Sequence, residues 1–203
     1  MTTTVEASVI RGPDAAVLDR IGDPGCAAAV WTCGRDAALG AWIDGLAAAF
    51  LPCTRTAIRP DGAGAAVLAA CDAALTPQPE RCHALADRVQ NLATGFAVAM
   101  GVRWLRLRLD VVDTDGCRRF HRDVVRARLL CTLRGSGTEF GIASDGEDPA
   151  RIERLATGDV GVFRGTLWPG GVLPLVHRSP PIAGRGETRL LLVLDPLDDL
   201  EDG

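Results

Sequence analysis

The sequence predicts an α+β protein in which a helical N-terminal layer supports a C-terminal set of short strands. Three observations carry this reading. Apolar residues recur every three or four positions through about residue 100, they alternate with charged residues after Gly101, and glycine- or proline-rich turns then separate short apolar runs. At 203 residues, 47 % hydrophobic and 24 % charged, the chain suits one compact domain or one domain with an appended helical part.

In the first helix Leu39, Trp42, Ile43, Leu46 and Phe50 share one face, and Pro52 ends it. A second helix spans about Ala63 to Leu75, after the Pro60-Asp61-Gly62 turn signal. The third places Cys82, Leu85, Val89, Leu92 and Phe96 in a stripe begun after Pro77 and Pro79, with His83 beside it as a helix residue without a chemical role. Beyond Gly101, Leu105, Leu107, Leu109 and Val111 alternate with Arg106, Arg108 and Asp110, a strand with one apolar face. Asp113 to Cys117 is a turn. A strand from about Val124 to Leu133 follows, its residues Val125, Ala127, Leu129, Cys131 and Leu133 sharing the face that His121 and Asp123 extend. Gly135-Ser136-Gly137 is a loop, and Asp159–Phe163, Leu173–His177 and Glu187–Leu194 are further strands of a barrel or sandwich. This divides the chain into a helical region 1–100, a strand core 101–197 and an acidic tail 198–203.

The net charge of −4 leaves no basic excess to neutralise phosphates, which argues against nucleic acid as a partner. Arginines do cluster between residues 103 and 134, so a positive face for a small anion remains open. Seven cysteines (Cys26, Cys33, Cys53, Cys71, Cys82, Cys117, Cys131) show no CxxC pairing and read as reduced thiols. The N-terminal residues lack a signal-peptide pattern, and the best apolar stretch, Ala37 to Leu51, is too short for a membrane span. A cytoplasmic protein without membrane contact is expected.

Chemistry concentrates at His121, Asp123 and His177. A histidine and an aspartate two apart, answered by a distant histidine, is the donor set of a 2-His-1-carboxylate metal site, which leaves coordination positions open for substrate. On an extended segment residues i and i+2 point the same way, so His121 and Asp123 can share one ion. Other readings stand beside this one. Cys117 can pair with His121 as a thiolate nucleophile, or join the three donors and close a structural zinc site. Glu139 is either a solvated strand-end acid or a substrate-facing group. Trp168 either covers the mouth of a pocket or packs in the core.

The stretch from Cys117 through Phe140, with Gly158 to Gly170, Val176-His-Arg-Ser-Pro-Pro181 and Glu187 to Asp195, resembles a bacterial family known as domain-of-unknown-function family 1826. The resemblance is strong over about 100–196 and weaker over the helical half. At greater distance the layout is similar to the Fe(II)/2-oxoglutarate-dependent oxygenases. That likeness implies a double-stranded β-helix of jelly-roll, cupin-like type, with His121, Asp123 and His177 as iron ligands and Arg189 gripping 2-oxoglutarate. The Gly158-Asp159 turn resembles the glycine-aspartate lead-in to the strand before the distal histidine. The chain departs from the oxygenase pattern in three ways. Arg185 competes with Arg189, the core is short, and the chain has no tyrosine to supply an extra oxoglutarate hydroxyl, leaving Thr132 or Thr138. The resemblance thus implies an oxygenase with Fe(II) and 2-oxoglutarate acting on a small-molecule or protein substrate. The alternative is a non-catalytic cupin-like zinc protein of metal homeostasis.

Overall fold

Alternation along the strands sorts this chain into layers. The computed structural model describes residues 7–144 and 147–198; all but the first residue of the expected acidic tail lies outside the described residues. Strands β1 (Ser8–Gly12), β2 (Cys26–Trp31), β3 (Thr54–Ile58), β4 (Trp104–Val112), β5 (Ala127–Arg134), β8 (Val160–Arg164) and β10 (Arg189–Leu197) form a seven-stranded sheet in the order β1-β2-β8-β5-β10-β4-β3. Its pairs are antiparallel except β1 with β2. Strands β6 (Glu139–Ile142), β7 (Glu153–Arg154) and β9 (Leu175–Arg178) form a second, antiparallel sheet in the order β7-β6-β9.

Each face of the large sheet has its own core. Leu105, Leu107, Leu109, Leu129, Cys131 and Leu192 bury against α1 (Ala37–Gly45), α2 (Ala63–Ala73) and α3 (Pro79–Met100), through Ile43, Val67, Val89 and Phe96. Ala28, Val30, Leu130, Phe163 and Val193, on the other face, share a second core with Phe140 and Leu175 of the small sheet. Phe140 and Phe163 meet edge to face, centroids 5.4 Å apart. A fully buried leucine contributes about 1.5–3 kcal/mol, so the uniform leucine face of β4, β5 and β10 anchors the helices while the opposite face is free to carry polar groups. Among the described residues no helix is long and apolar enough to cross a membrane.

The helices fall close to where periodicity places them, but the first hundred residues are not helical throughout. They also supply β1, β2 and β3, which sit at the two edges of the large sheet. β2 reads Cys-Ala-Ala-Ala-Val-Trp and is buried on both faces except at its end, so it lacks the alternation that marks a strand. The first helix stops at Gly45, capped at its start by Asp36 on Leu39 N (2.7 Å); Phe50 falls in a separate 3-10 turn and is exposed.

A second correction concerns parity. Ala127, Leu129, Cys131 and Leu133 face the helices, whereas His121 and Asp123 face the opposite side, because residues 122–126 are irregular, with a bend at 124–126, rather than the first part of a strand. Further along β5, Leu190 pairs with Arg134 but Leu191 with Thr132, so Leu133 is an extra residue, a bulge beside Arg189.

Gly158 seals the helical layer to the sheet. It adopts φ +97°, and a Cβ there would lie 2.6 Å from Arg35 Cα and 2.7 Å from the Gly34 carbonyl oxygen. Its own carbonyl accepts from Arg88 of α3 at 2.7 Å, and Asp159 Oδ1 accepts from Gly34 N at 3.0 Å. Gly158→Ala is therefore expected to cost about 1–3 kcal/mol from backbone strain alone, read as a lowered midpoint in urea unfolding.

Candidate metal centre

The centre begins with a rung of backbone. His121 N donates to His177 O and His177 N to His121 O, both at 3.0 Å, so the two histidines are directly opposed in an isolated antiparallel bridge. Opposed residues project to the same side, and the ring centroids lie 4.7 Å apart. Asp123, two residues along, is held by a different contact set. Its carbonyl accepts from Thr166 N (2.9 Å), and Gly165 N donates to Arg126 O (3.0 Å). The two segments run so close that a Cβ on Gly165 would fall 2.0 Å from Val125 O and 2.8 Å from Asp123 O.

The donor atoms of His121, Asp123 and His177 all lie within 4.8 Å of one another. Donors bound to one ion at about 2.0–2.2 Å sit closer together, so the widest spacing must contract on loading. The chemistry of each donor suits a cation. His121 Nδ1 lies 2.9 Å from the Arg119 carbonyl, an acceptor only, so Nδ1 carries the proton and the neutral ring offers a lone pair at Nε2. Asp123 Oδ1 is taken by Arg128 NH1 at 2.5 Å. Its Oδ2 is buried without a hydrogen-bond partner, although His177 Nε2 stands 3.0 Å away. An orphaned carboxylate oxygen facing an imidazole nitrogen at that range is an arrangement that a shared cation completes.

Arg128, one of the arginines clustered between residues 103 and 134, lines the cavity. It forks onto buried Asp195 of β10 through Nε (2.6 Å) and NH2 (2.8 Å) while NH1 holds Asp123. Register places Leu129 opposite Leu194, so Arg128 and Asp195 lie side by side on the same sheet face. Burial pushes the Asp123 carboxyl up, but His121, His177 and Arg128 together hold it well below the usual carboxylate range. The Asp123 carboxylate beside it raises His121 above the ordinary imidazole value, against the opposing effect of burial.

These groups line a cavity of about 310 Å³ between the two sheets, together with Arg108, Leu130, Thr138 and Ser179. Arg189 is fully buried behind the wall. It donates to Ser136 O (2.6 Å), to Ser179 Oγ (3.1 Å) and toward Thr132 Oγ1 (3.4 Å), and forms no ion pair with a carboxylate among the described residues. Arg185 is exposed in the loop between Gly184 and Gly186, away from this arrangement.

The remaining candidates fall elsewhere. Cys117 lines the cavity and is exposed, but it is outside the donor group. His121 Nδ1 is bound to Arg119 O and its Nε2 faces Asp123, so no thiol–imidazole pair forms with Cys117. Glu139 is buried between Arg154 and Arg178 (2.8 Å to the latter), not solvated. Trp168 packs on the helix-side core with Arg164 over its ring at 4.4 Å and does not cover the cavity. Thr138 lines the cavity, whereas Thr132 lies beside Arg189.

Two outcomes follow for metal binding. Arg128→Gln should strand Asp195 and free Asp123 to turn, costing about 3–5 kcal/mol of stability for the broken buried pair and about 10–100-fold in metal affinity; calorimetry with Zn(II) and a thermal melt read the two separately. Because the raised proton affinity of His121 belongs to the metal-free protein, a metal must displace that proton. Affinity should therefore start to fall above the ordinary imidazole value of about 6.5 as pH drops, measured by Zn(II) titration from pH 8 to pH 6.

No curated protein matches the chain at the level of sequence. Among solved structures, the fold is shared with the rice dioxygenase for auxin oxidation (18 % identity, TM-score 0.50, covering 97 % of this chain and 85 % of that one). It is shared equally with the dioxygenase for auxin oxidation 1 from Arabidopsis thaliana, solved with 2-oxoglutarate (13 % identity, TM-score 0.52, covering 96 % and 94 %). The family model described as "Protein of unknown function (DUF1826)" matches residues 12–195, and the chain belongs to that family.

Proposed function

We propose that this protein is a non-haem Fe(II)/2-oxoglutarate-dependent oxygenase of double-stranded β-helix architecture, with His121, Asp123 and His177 as ligands. One observation carries the reading: two histidines and a carboxylate converge within 4.8 Å, with Asp123 Oδ2 buried, unsatisfied and 3.0 Å from His177 Nε2. The shared fold of dioxygenases, one of them solved with 2-oxoglutarate, supports it. A closed zinc site gains no support, since Cys117 stands outside the donor group. The seven free thiols favour a reducing, cytoplasmic location.

The protein's part in the chemistry is positioning and charge. Iron and the oxo acid, when bound, supply oxygen activation coupled to oxidative decarboxylation. Arg119 O fixes the His121 tautomer, and Arg128 occupies Asp123 Oδ1, which leaves Oδ2 for the ion. Phe163, 5.5 Å from the His177 ring, shields that buried donor from water, and Leu130 lines the same cavity. Arg189 anchors the distal carboxylate of the oxo acid. It is bonded to neutral oxygens only, and its fork reaches the cavity by exchanging the Ser179 hydroxyl for a carboxylate, with the Thr132 hydroxyl beside it.

Fe(II) and 2-oxoglutarate added without oxygen should produce a visible charge-transfer band, and admission of oxygen should release succinate. His177→Ala should abolish both. Arg189→Lys, which keeps the charge but loses the fork, should raise the 2-oxoglutarate KM by at least about tenfold while metal affinity holds. Absence of both band and succinate in the wild-type protein sinks the oxygenase reading.

A further inference from the structure

The cavity holds a second basic feature that the metal centre does not use. On the cavity side of the large sheet, registered neighbours form rows. Arg128 and Asp195 belong to one row; Leu130, Val193, Arg108 and Arg55 make the next. Three of the cavity arginines are matched to acids at hydrogen-bond distance. Arg128 has Asp195 and Asp123, Arg178 has Glu139 at 2.8 Å, and Arg55 has Asp110 at 3.0 Å.

Arg108 is not. Its carboxylate neighbours stand at 4.0 Å (Asp110) and 3.9 Å (Asp195), beyond hydrogen-bond reach, and its Nε is buried with no partner. The side chain is only 21 % exposed, so water compensates it poorly. Burial and the neighbouring Arg128 both press against its charge. A guanidinium left in this state on a cavity wall is a fork without its anion. Next to it in register lie Val193 and then Leu130, an apolar floor leading from Arg108 across β10 to β5, the strand that carries Arg128 beside Asp123.

We propose that Arg108 binds the carboxylate of an apolar organic acid, whose hydrocarbon portion lies over Val193 and Leu130 toward the metal centre. This anion site is separate from Arg189, which lies behind the wall at Ser179. That the occupant is the compound oxidised rests on the oxygenase reading; the anion site itself does not. The row explains the selectivity expected. A neutral ligand leaves Arg108 Nε unpaired, a cation is repelled, and a dicarboxylate has no second free fork over the apolar floor.

The test uses the full-length protein and three matched probes: phenylacetate, 2-phenylethanol and phenethylamine. Binding is measured by calorimetry on metal-free protein and again with Zn(II) and N-oxalylglycine bound. Phenylacetate should bind at least tenfold more tightly than the alcohol or the amine in both forms. Arg108→Gln should remove that preference and Arg108→Lys should retain part of it, while N-oxalylglycine and Zn(II) affinities stay within about twofold. The matched probes carry the test on the wild-type protein even if a variant folds poorly. Equal binding of the three probes, no binding of phenylacetate, or a preference that survives Arg108→Gln overturns the proposal. Failure of Zn(II) to bind instead strikes the metal reading and leaves the metal-free comparison intact.

Discussion

The fork of Arg128 is the interaction on which the rest of the centre depends. It joins a buried acid on the interior strand β10 to the carboxylate on the irregular segment before β5, and so transmits the position of the leucine-anchored sheet to the candidate ligands. Without it Asp195 would be a buried charge with Arg108 no nearer than 3.9 Å. Both Asp123 oxygens would then compete for the same two imidazoles. The ion pair is therefore less a source of net stability than a device that orients one oxygen by occupying the other.

Asp123 and the histidines are placed by two independent systems. The histidines are fixed relative to one another by a reciprocal pair of backbone hydrogen bonds. The aspartate is fixed by Arg128 and by contact with the glycine at 165, which lets two backbones approach as no other residue would. The donor set thus combines rigid main-chain geometry with one adjustable carboxylate, consistent with donor spacings wider than those of a loaded ion.

Much of this was legible in the sequence, and the failures have physical causes. The 3- and 4-residue spacing marked α1 and α3, because a helix that buries one face must repeat that way, and the turn signal at residues 60–62 marked the start of α2. Alternation exposed β4 for the corresponding reason. β2 stayed hidden because a strand buried on both faces has no period to read, and alanine does not distinguish strand from helix. His121, Asp123 and His177 could be singled out by chemical type and spacing, yet the face of His121 and Asp123 was misjudged, since the bend at 124–126 resets parity and leaves no compositional mark. Arg128 and Arg108 were invisible as individuals. Among many strand arginines, only cross-strand register reveals which have acids opposite them.

The rung between His121 and His177 has a consequence for how such a centre can change over evolutionary time. Its geometry resides in peptide groups, which are common to every amino acid. Replacing a side chain on the rung would alter hardness, charge or reach while leaving the location of the site untouched. In a centre built on such a rung, elemental preference and site address are separable traits, and point substitution alters the one without redesigning the scaffold.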